Sequence, residues 1–374
     1  MKSTVLKDSL RTGLSIVERV AAKSPSLPIL GNILISATKN VIELAATDLE
    51  VGIRYTILAK NEKEGRCVLP AKSLSQFVAL LLESQITLTV KEAGLTIDSQ
   101  EQHTLLKTLP AEDFPIIPTF KEGDAFVEVE THTFFEGMGQ VVGMAGQTQA
   151  RPEISGVFVS FSQQTCKLVA TDSFRLAEQT LSFSKAQPLQ TTFILPTRTA
   201  RELVAILGEL QGKTKMYVSP NQAVFDYTPE QPGKAAIQII SRLIEGEYPQ
   251  YQDIIPKDFA AKLVIDKDAF INQVKAASIF SGKLNDVKLF VNQKRKGVEL
   301  TAKSTDVGEH ASFIPAQTQG GDIETSFNWK FLLDGVMHMR GNEIELGVSG
   351  AESPAVLKSL RKGEYLYVLM PLKV

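Results

Sequence analysis

The sequence has no long apolar segment. Its first ten residues, MKSTVLKDSL, lack the apolar core of a signal peptide. No later stretch approaches the roughly 20 apolar residues that a transmembrane helix requires. We therefore expect a cytoplasmic protein that has no membrane partner.

Cysteine and histidine are scarce. The 374 residues include two cysteines, Cys67 and Cys166, and four histidines. Cytoplasmic proteins rarely form disulfides, so buried thiols are the expected state of both cysteines. The histidines are scattered, and none has a second ligand at the spacing of a metal site. We expect no metal and no other cofactor.

Neither sign of charge is in large excess. The chain has 40 Lys and Arg against 42 Asp and Glu, which gives a net charge of -2. Any attraction for nucleic acid must therefore come from local placement of basic residues. Hydrophobic residues make up 43% of the chain, and 374 residues are more than one core comfortably holds. Composition and length predict a globular protein of two or three domains.

What the sequence does contain is a threefold repeat. The segment IELAATDLEVG at residues 42–52 is followed by KLVATDSFRLA at 167–177 and VELTAKSTDVG at 298–308. The equivalent residues Asp48, Asp172 and Ser304 lie 124 and 132 residues apart. Leu69-Pro70 has counterparts at Leu195-Pro196 and Phe327-Asn328, with spacings of 126 and 132 residues. Independent landmarks that recur in one order predict three similar domains. Polar connections that begin with proline place these domains at residues 1–120, 125–256 and 261–374.

Each third of the chain shows two helical patterns with strands between them. The first pattern, at residues 8–23, carries an apolar stripe that includes Leu10, Leu14 and Ala21. Other helices are expected after Pro70, at residues 131–146 and 197–207, after Asp266, and at residues 328–338. Residues 41–56 read as one strand, and the charged residues 60–66 read as a loop. Basic residues lie away from the apolar stripes: Arg11, Arg19, Lys23, Lys72, Arg198, Arg201, Lys275 and Lys330. Two roles remain open for these residues: they form a solvent-exposed face, or they face phosphates.

No catalytic motif is present. The chain has no G-x-S-x-G elbow, P-loop or H-E-x-x-H sequence, and Gly137, Gly139 and Gly143 do not have dinucleotide-binding spacing. Asp48 and Asp172 each follow a threonine, as acidic catalytic residues could, but the third copy has Ser304 there. Turns in which Asp and Thr bond their own backbone explain these pairs more simply. We expect no enzymatic activity.

The residues resemble those of the bacterial DNA sliding clamp, the beta subunit of DNA polymerase III, over essentially the whole chain. The resemblance is carried by LPILGNILI (27–35), ATDLE (46–50), LPAKSL (69–74), TLPAEDFP (108–115), RPEISGV (151–157), VATDSFRLA (169–177), EYPQY (247–251) and YVLMPLKV (367–374). It implies an α+β fold of three tandem DNA-clamp domains, with helices on one face and antiparallel sheets on the other. It further implies a head-to-tail homodimer whose six domains close a ring, with Ile279 and Phe280 at the dimer interface.

The resemblance also implies function and partners. The ring would be the processivity factor of replication, a non-catalytic subunit of the DNA polymerase III holoenzyme that encircles double-stranded DNA without reading its sequence. Its partners would be the replicative polymerase alpha subunit, the clamp loader and other proteins with a clamp-binding motif. The DNA-binding residues carried over from the family, together with the outward arginines of the fourth helix, are Lys23, Lys72, Thr148, Arg151, Arg198 and Arg201.

A pocket for partner peptides is implied at the junction of the second and third domains. It would comprise Ile154, Thr171, Ser173, Phe174, Arg175, Leu176, Pro249, Ile254, Val368, Leu369, Met370, Pro371 and Leu372. Family members commonly have glycine followed by histidine or tyrosine where this chain has Ser173-Phe174, so the peptide preference is expected to differ. A plain core role for Leu176 and Val368 also remains open.

Two other classes of function remain to be distinguished. A three-domain adaptor that binds peptides but never encircles DNA would share the pocket and lack the dimer. An enzyme would need a polar catalytic cluster, for which the sequence gives no sign.

Overall fold

The structure, a computed structural model, describes every residue except 22–26, 92, 99–102, 122, 149, 232–234, 361–364 and 374. It separates into two compact units. The first unit comprises residues 1–136, 187–191 and 198–243, and the second comprises residues 137–186, 192–197 and 244–374.

One order of elements occurs three times: a strand, a helix, three strands, a further strand, a second helix and three more strands. The first repeat, which has one additional strand, contains β1 (Lys2–Leu6), α1 (Lys7–Val17), β2 (Asn32–Thr38), β3 (Val41–Thr47), β4 (Val51–Leu58), β5 (Lys60–Lys63), β6 (Gly65–Pro70), α2 (Ala71–Leu80), β7 (Gln85–Lys91), β8 (Gly94–Asp98) and β9 (His103–Leu106).

The second and third repeats follow the same plan. The second contains β10 (Val127–Glu130), α3 (Thr131–Val142), β11 (Gly156–Phe161), β12 (Thr165–Thr171), β13 (Arg175–Ser182), β14 (Thr191–Pro196), α4 (Thr197–Leu207), β15 (Lys213–Val218), β16 (Gln222–Thr228) and β17 (Ala236–Arg242). The third contains β18 (Ala261–Asp266), α5 (Lys267–Ser278), β19 (Asp286–Asn292), β20 (Gly297–Ser304), β21 (Gly308–Gly320), β22 (Ile323–Asn328), α6 (Trp329–Met337), β23 (Glu343–Val348), β24 (Ala355–Ser359) and β25 (Tyr365–Leu369).

The predicted bounds of α4 are confirmed, and side-chain caps define where α5 and α6 begin. α4 matches the predicted residues 197–207, and its buried residues include Ala200, Leu203 and Leu207. In the third repeat, Asp266 caps α5 by accepting a hydrogen bond from the backbone N–H of Ala269 at 2.8 Å. Asn328 caps α6 in the same way. An N-cap acceptor satisfies one of the unpaired donors of the first helical turn.

Four predicted elements were wrong in their bounds, and one of them is α3, which ends at Val142, four residues before the predicted end at residue 146. α1 ends at Val17, six residues before the predicted end, and a turn follows at residues 18–20. Residues 41–56 form two strands rather than one, because the chain reverses at Asp48. The charged residues 60–66 form β5 and the start of β6 rather than a loop. β5 is the edge strand of its sheet, where charged side chains are common because one edge faces solvent.

In the first unit, one sheet continues from the first repeat into the second. Its order is β10-β15-β16-β17-β4-β3-β2-β6, so the last strand of the second repeat pairs antiparallel with β4 of the first. Phe114, Val68 and Ile240 belong to an apolar cluster that spans this pairing. A five-stranded sheet, β5-β1-β7-β8-β9, completes the first repeat.

The second unit repeats this junction. Its sheet of 12 strands runs β14-β11-β12-β13-β25-β24-β23-β18-β21-β20-β19-β22. Here the last strand of the third repeat pairs antiparallel with β13 of the second, and Leu176 lies opposite Val368. Both side chains are buried in one apolar cluster with Tyr251. Equivalent strands therefore form both junctions between repeats.

Candidate functional site

A tight turn between β12 and β13 organises the predicted peptide pocket. Oδ1 of Asp172 accepts hydrogen bonds from the backbone N–H groups of Phe174 and Arg175, both at 3.0 Å. The Thr171 hydroxyl donates to the carbonyl of Arg175 at 2.7 Å, and Ser173 adopts a φ of 76°. Asp and Thr thus bond their own backbone, as the sequence predicted.

The first repeat contains the same turn. Oδ1 of Asp48 accepts from the backbone N–H groups of Glu50 at 3.0 Å and Val51 at 2.7 Å, and Leu49 has a φ of 76°. Two turns with the same hydrogen-bonding pattern explain why the Thr-Asp pairs recur. Within the described ranges, no group of three or more His, Cys, Asp and Glu side chains lies close enough to hold a metal ion.

Arg175 is held between two carboxylates and an aromatic ring. Its Nε donates to Oδ2 of Asp172 at 2.9 Å, and its Nη1 donates to Oδ2 of Asp334. The guanidinium also lies over the Phe331 ring, 4.4 Å from its centroid. Burial opposes the charged form, but the two carboxylates outweigh it and raise the pKa of Arg175. This arginine therefore has a fixed charge and a fixed orientation.

The pocket residues fall into an exposed group and a buried group. Phe174, Ile254 and Met370 are 63%, 51% and 39% exposed, so their apolar surfaces are open to solvent. Ser173 is exposed as well, whereas Pro249, Arg175, Pro371 and Leu372 are partly buried. The remaining predicted residues are buried and support the surface from below: Ile154, Thr171, Leu176, Val368 and Leu369.

Backbone hydrogen bonds bring the exposed group together. The N–H of Met370 donates to the carbonyl of Phe174 at 2.8 Å, which fixes the C-terminal tail beside the turn. The N–H of Leu372 donates to the carbonyl of Ser326 at 2.7 Å. Ile254 ends a short 3-10 helix, Tyr251–Ile254, whose first residue packs in the same cluster as Leu176. The turn, the tail and the 3-10 helix therefore meet at one surface.

Sequence reasoning missed several residues of this surface. Asp334 and Phe331 hold Arg175 but come from α6, 159 residues away in the case of the carboxylate. Tyr251 donates to Glu178, and Tyr248 stacks on Phe158 at 4.8 Å. The one available signal was chemical, because a partly buried arginine requires an acidic partner.

The predicted basic residues occupy related positions. Lys72, Arg198 and Lys330 each stand at the second residue of the second helix of a repeat, and all three are exposed. The positive end of a helix dipole disfavours a cation there. The presence of a basic residue at this position in all three repeats therefore indicates a role in binding an anion rather than in stabilising the helix. Of the three, only Arg198 has a carboxylate within 4.0 Å in the described part of the chain, that of Asp48.

The other predicted DNA-binding residues differ in their surroundings. Arg201 is exposed, one turn after Arg198 in α4. Arg151 is exposed and donates to Glu153 and to the Ser173 hydroxyl, both at 3.1 Å. The Thr148 hydroxyl accepts from the backbone N–H of Ala150 at 3.2 Å. Lys23 lies outside the described residues. Arg11 and Lys275 are exposed, and Arg19 pairs with Glu202.

The predicted dimer residues lie at the end of α5. Ile279 is the C-cap residue and is 65% exposed. Phe280 is partly buried and stacks on His310 with 5.6 Å between ring centroids. Leu284 and Val307 are 65% and 60% exposed. The third repeat therefore carries exposed apolar side chains just after α5 and in the turn between β20 and β21.

Three family models match consecutive parts of the chain. They describe the N-terminal, central and C-terminal domains of the DNA polymerase III beta subunit and match residues 1–118, 128–250 and 252–373. None of the described helices is both long and apolar enough to span a membrane.

Individual relatives match over the full length. The beta sliding clamp of Synechocystis is 27% identical over 400 residues, and that of Bacillus subtilis is 25% identical over 386, with 100% of both chains covered in each case. The crystal structure of the B. subtilis clamp superposes with a TM-score of 0.93 at 24% identity and covers 100% of this chain and 99% of its own. The crystal structure of a DNA polymerase III beta subunit from Thermotoga maritima superposes with a TM-score of 0.89 at 25% identity and covers 100% of this chain and 99% of its own.

Proposed function

The chain belongs to the family of DNA polymerase III beta subunits, the bacterial DNA sliding clamps, and we propose that two copies associate head to tail into a ring around duplex DNA. As a sliding clamp it is a non-catalytic processivity factor of replication. The proposal extends to its place in the polymerase III holoenzyme, to a cytoplasmic location and to domains at residues 1–120, 125–256 and 261–374.

The observation that carries the proposed ring is that each chain has two strands, one in its third repeat and one in its first, that could form a third junction of the same kind between two copies. β4 pairs with β17, and β13 pairs with β25, so the fourth strand of one repeat meets the last strand of the next. The fourth strand of the third repeat is β21, whose residues 308–315 pair with β20 and with no second strand in the described chain. The last strand of the first repeat, β9, ends its sheet. Pairing of β21 with β9 of a second copy would complete the pattern.

Exposed apolar residues support the same closure. Ile206 in α4 is 8% exposed and lines a cleft with Ile16 of α1, whereas its counterpart Leu80 in α2 is 77% exposed. Val51 at the start of β4 is 3% exposed, whereas its counterpart Val307 is 60% exposed. Leu80 lies in the first repeat and Val307 in the third, so each belongs to a repeat that lacks a neighbouring repeat on one side within the chain. A neighbouring subunit would cover them together with Ile279 and Phe280, as expected for an interface core.

Phosphate contacts in the hole would come from exposed basic side chains on the helices. Lys72, Lys330 and Arg201 are exposed on these helices, and Lys23, Thr148 and Arg151 are further candidates. The charge of Arg198 is neutralised by the Asp48 carboxylate, so this residue is expected to attract phosphate less strongly. Such contacts are independent of base sequence and weaken as salt rises. Retention then depends on closure of the ring, and weak contacts leave it free to slide.

The surface formed by Phe174, Ile254 and Met370 supports a role as the partner-binding pocket. Three exposed apolar groups meet there, and Met370 has a flexible, polarisable side chain that adapts to different anchors. We propose that it binds short peptides of the replicative polymerase alpha subunit, the clamp loader and other proteins with a clamp-binding motif. Because Phe174 adds an aromatic face, an apolar or aromatic peptide anchor is expected to be favoured.

The test of the ring is oligomeric state. Leu80→Asp places a charge in the proposed interface, so light scattering at micromolar concentration should give the 41.0 kDa of one chain, whereas the wild type should give twice that mass. Ile116→Asp is the matched control, because Ile116 is 95% exposed but lies outside the proposed interface, and it should remain dimeric. A wild type with the mass of one chain would favour the non-encircling adaptor and overturn the ring.

A further inference from the structure

The ATDLE segment of the first repeat, residues 46–50, repeats the turn of the peptide pocket but contacts different groups. In the second repeat, Oδ2 of Asp172 pairs with Arg175. The first repeat has Val51 at that position, and Oδ2 of Asp48 pairs instead with Nη1 of Arg198, at the start of α4 in the second repeat. The turn therefore joins two repeats.

Burial makes this pairing specific. The Asp48 side chain is 7% exposed, and its Oδ1 is already occupied by two backbone N–H groups. A buried carboxylate is unfavourable unless it is paired, so Oδ2 needs a cation. Arg198 supplies that cation even though its own side chain is 56% exposed. Two neighbouring contacts join the same repeats: the N–H of Arg242 donates to the carbonyl of Glu50 at 2.9 Å, and Arg19 pairs with Glu202.

The other two repeats lack this arrangement. Lys330 and Lys72 stand at the position of Arg198 in their own helices. Asp172, the counterpart of Asp48, is taken by Arg175, and neither Asp172 nor any other described carboxylate lies within 4.0 Å of Lys330. The counterpart of Asp48 in the third repeat is Ser304, which has no carboxylate, so in the proposed ring a second copy cannot neutralise Lys72 from this position. Of these three equivalent cations, Arg198 is the one that the protein neutralises.

We propose that Asp48 is a positioning residue that fastens α4 to the first repeat and withholds Arg198 from DNA phosphates. The part concerning DNA rests on the proposed function. Sliding contacts then fall on Lys72, Lys330 and Arg201, and the ring holds DNA through one arginine fewer per subunit than its sequence offers. The fastening at this junction also opposes bending between the first two repeats.

The test is the salt dependence of binding to a short primed duplex, measured by fluorescence anisotropy. Asp48→Asn keeps an oxygen for the backbone N–H groups but releases Arg198, so the slope of log affinity against log salt should steepen by about 0.9 for each additional phosphate that the protein neutralises. Arg198→Ala should leave the wild-type slope unchanged, and the double variant should return to that slope. Arg201→Ala is the matched control and should make the slope shallower.

The outcomes separate the two ideas. If Arg198→Ala reduces the slope as much as Arg201→Ala does, Arg198 contacts DNA in the wild type and the withholding role is wrong. If the wild type shows no salt-dependent binding, the proposed phosphate contacts of the helices fail, and thermal unfolding then tests the fastening alone. The effects of Asp48→Asn and Arg198→Ala on Tm should overlap in the double variant, whereas fully additive shifts would show that no fastening exists.

Discussion

At the scale of single residues, the partner surface depends on how charge is fixed beneath it. Arg175 is surrounded by Asp172, Asp334 and the Phe331 ring, and its side chain is 13% exposed. An arginine held in this way orients the turn that carries Ser173 and Phe174. Under the proposed function, the exposed apolar groups would then bind a peptide without first becoming ordered, which would lower the entropic cost of association.

Replacement of Arg175 by alanine should therefore lower stability. The change leaves Asp172 and Asp334 facing each other and removes the contact with Phe331, so we expect a loss of about 1–3 kcal/mol in unfolding free energy. Urea denaturation measures it. Arg201→Ala, at an exposed site, should change stability by less than about 0.5 kcal/mol. Equal effects of the two variants would contradict the structural role of Arg175.

At the scale of elements, helix α1 lies close to the sheet beneath it because Gly13 leaves room. A Cβ at Gly13 would lie 2.6 Å from Cδ1 of Tyr55 and 2.8 Å from Cδ1 of Leu44. Both partners are buried core residues of β4 and β3. The glycine therefore sets the distance between helix and sheet in the first repeat.

Gly13→Ala should destabilise the protein despite alanine's higher helix propensity. Propensity alone would stabilise by about 1 kcal/mol, but overpacking against Tyr55 and Leu44 is expected to cost about 1–3 kcal/mol. Gly143→Ala is the control, because a Cβ there meets nothing within 4 Å. Chemical denaturation of both variants checks the prediction, and a more stable Gly13→Ala protein would refute it.

The end of α6 gives a pH dependence. Burial lowers the pKa of His338 below its ordinary value of 6.5, and the attraction of Asp334 opposes this shift. The unfolded chain then binds the proton more tightly, so stability from the neutral imidazole is present above pH 6.5 and is lost as the pH falls through the lower folded-state pKa. His338→Gln should show a smaller fall in unfolding free energy than the wild type between about pH 7 and pH 5. Parallel curves would contradict this assignment.

Local pattern predicted the starts of the helices better than their ends or the division between strands. α4 was predicted to the residue because its apolar spacing, its outward arginines and the preceding Pro196 all agree. The stretch 41–56 was read as a single strand, because the reversal at Asp48 depends on side-chain hydrogen bonds and a left-handed Leu49 that apolar alternation does not reveal.

The same distinction applies to the functional residues: those within or close to a local motif were predicted, and those whose contacts depend on strand pairing were not. Phe174, Ile254 and Met370 were named from sequence because each lies in a recognisable segment. Asp334 was not, since its contact with Arg175 arises when β25 pairs with β13 and carries the third repeat against the second. The pairing of Asp48 with Arg198 was missed for the same reason, because it joins segments that only the sheet of the first unit brings together.

At the scale of the whole molecule, the function follows from repetition. Two junctions of one kind within the chain, and the two halves of a third at its ends, account for a ring of two subunits. In the proposed ring, a net charge of -2 would limit binding to the outside, while exposed lysines and arginines on the helices would make the inside locally favourable. DNA is then held by enclosure rather than by affinity.

The most direct measurement of enclosure compares retention on circular and linearised DNA. Wild-type protein is loaded onto nicked circular plasmid by a clamp loader and washed at about 1 M salt, where phosphate contacts are largely screened. The ring predicts that protein stays on the circle and is lost within minutes once a restriction enzyme opens it. Equal retention before and after cutting, or loss from the intact circle during the wash, would contradict the account.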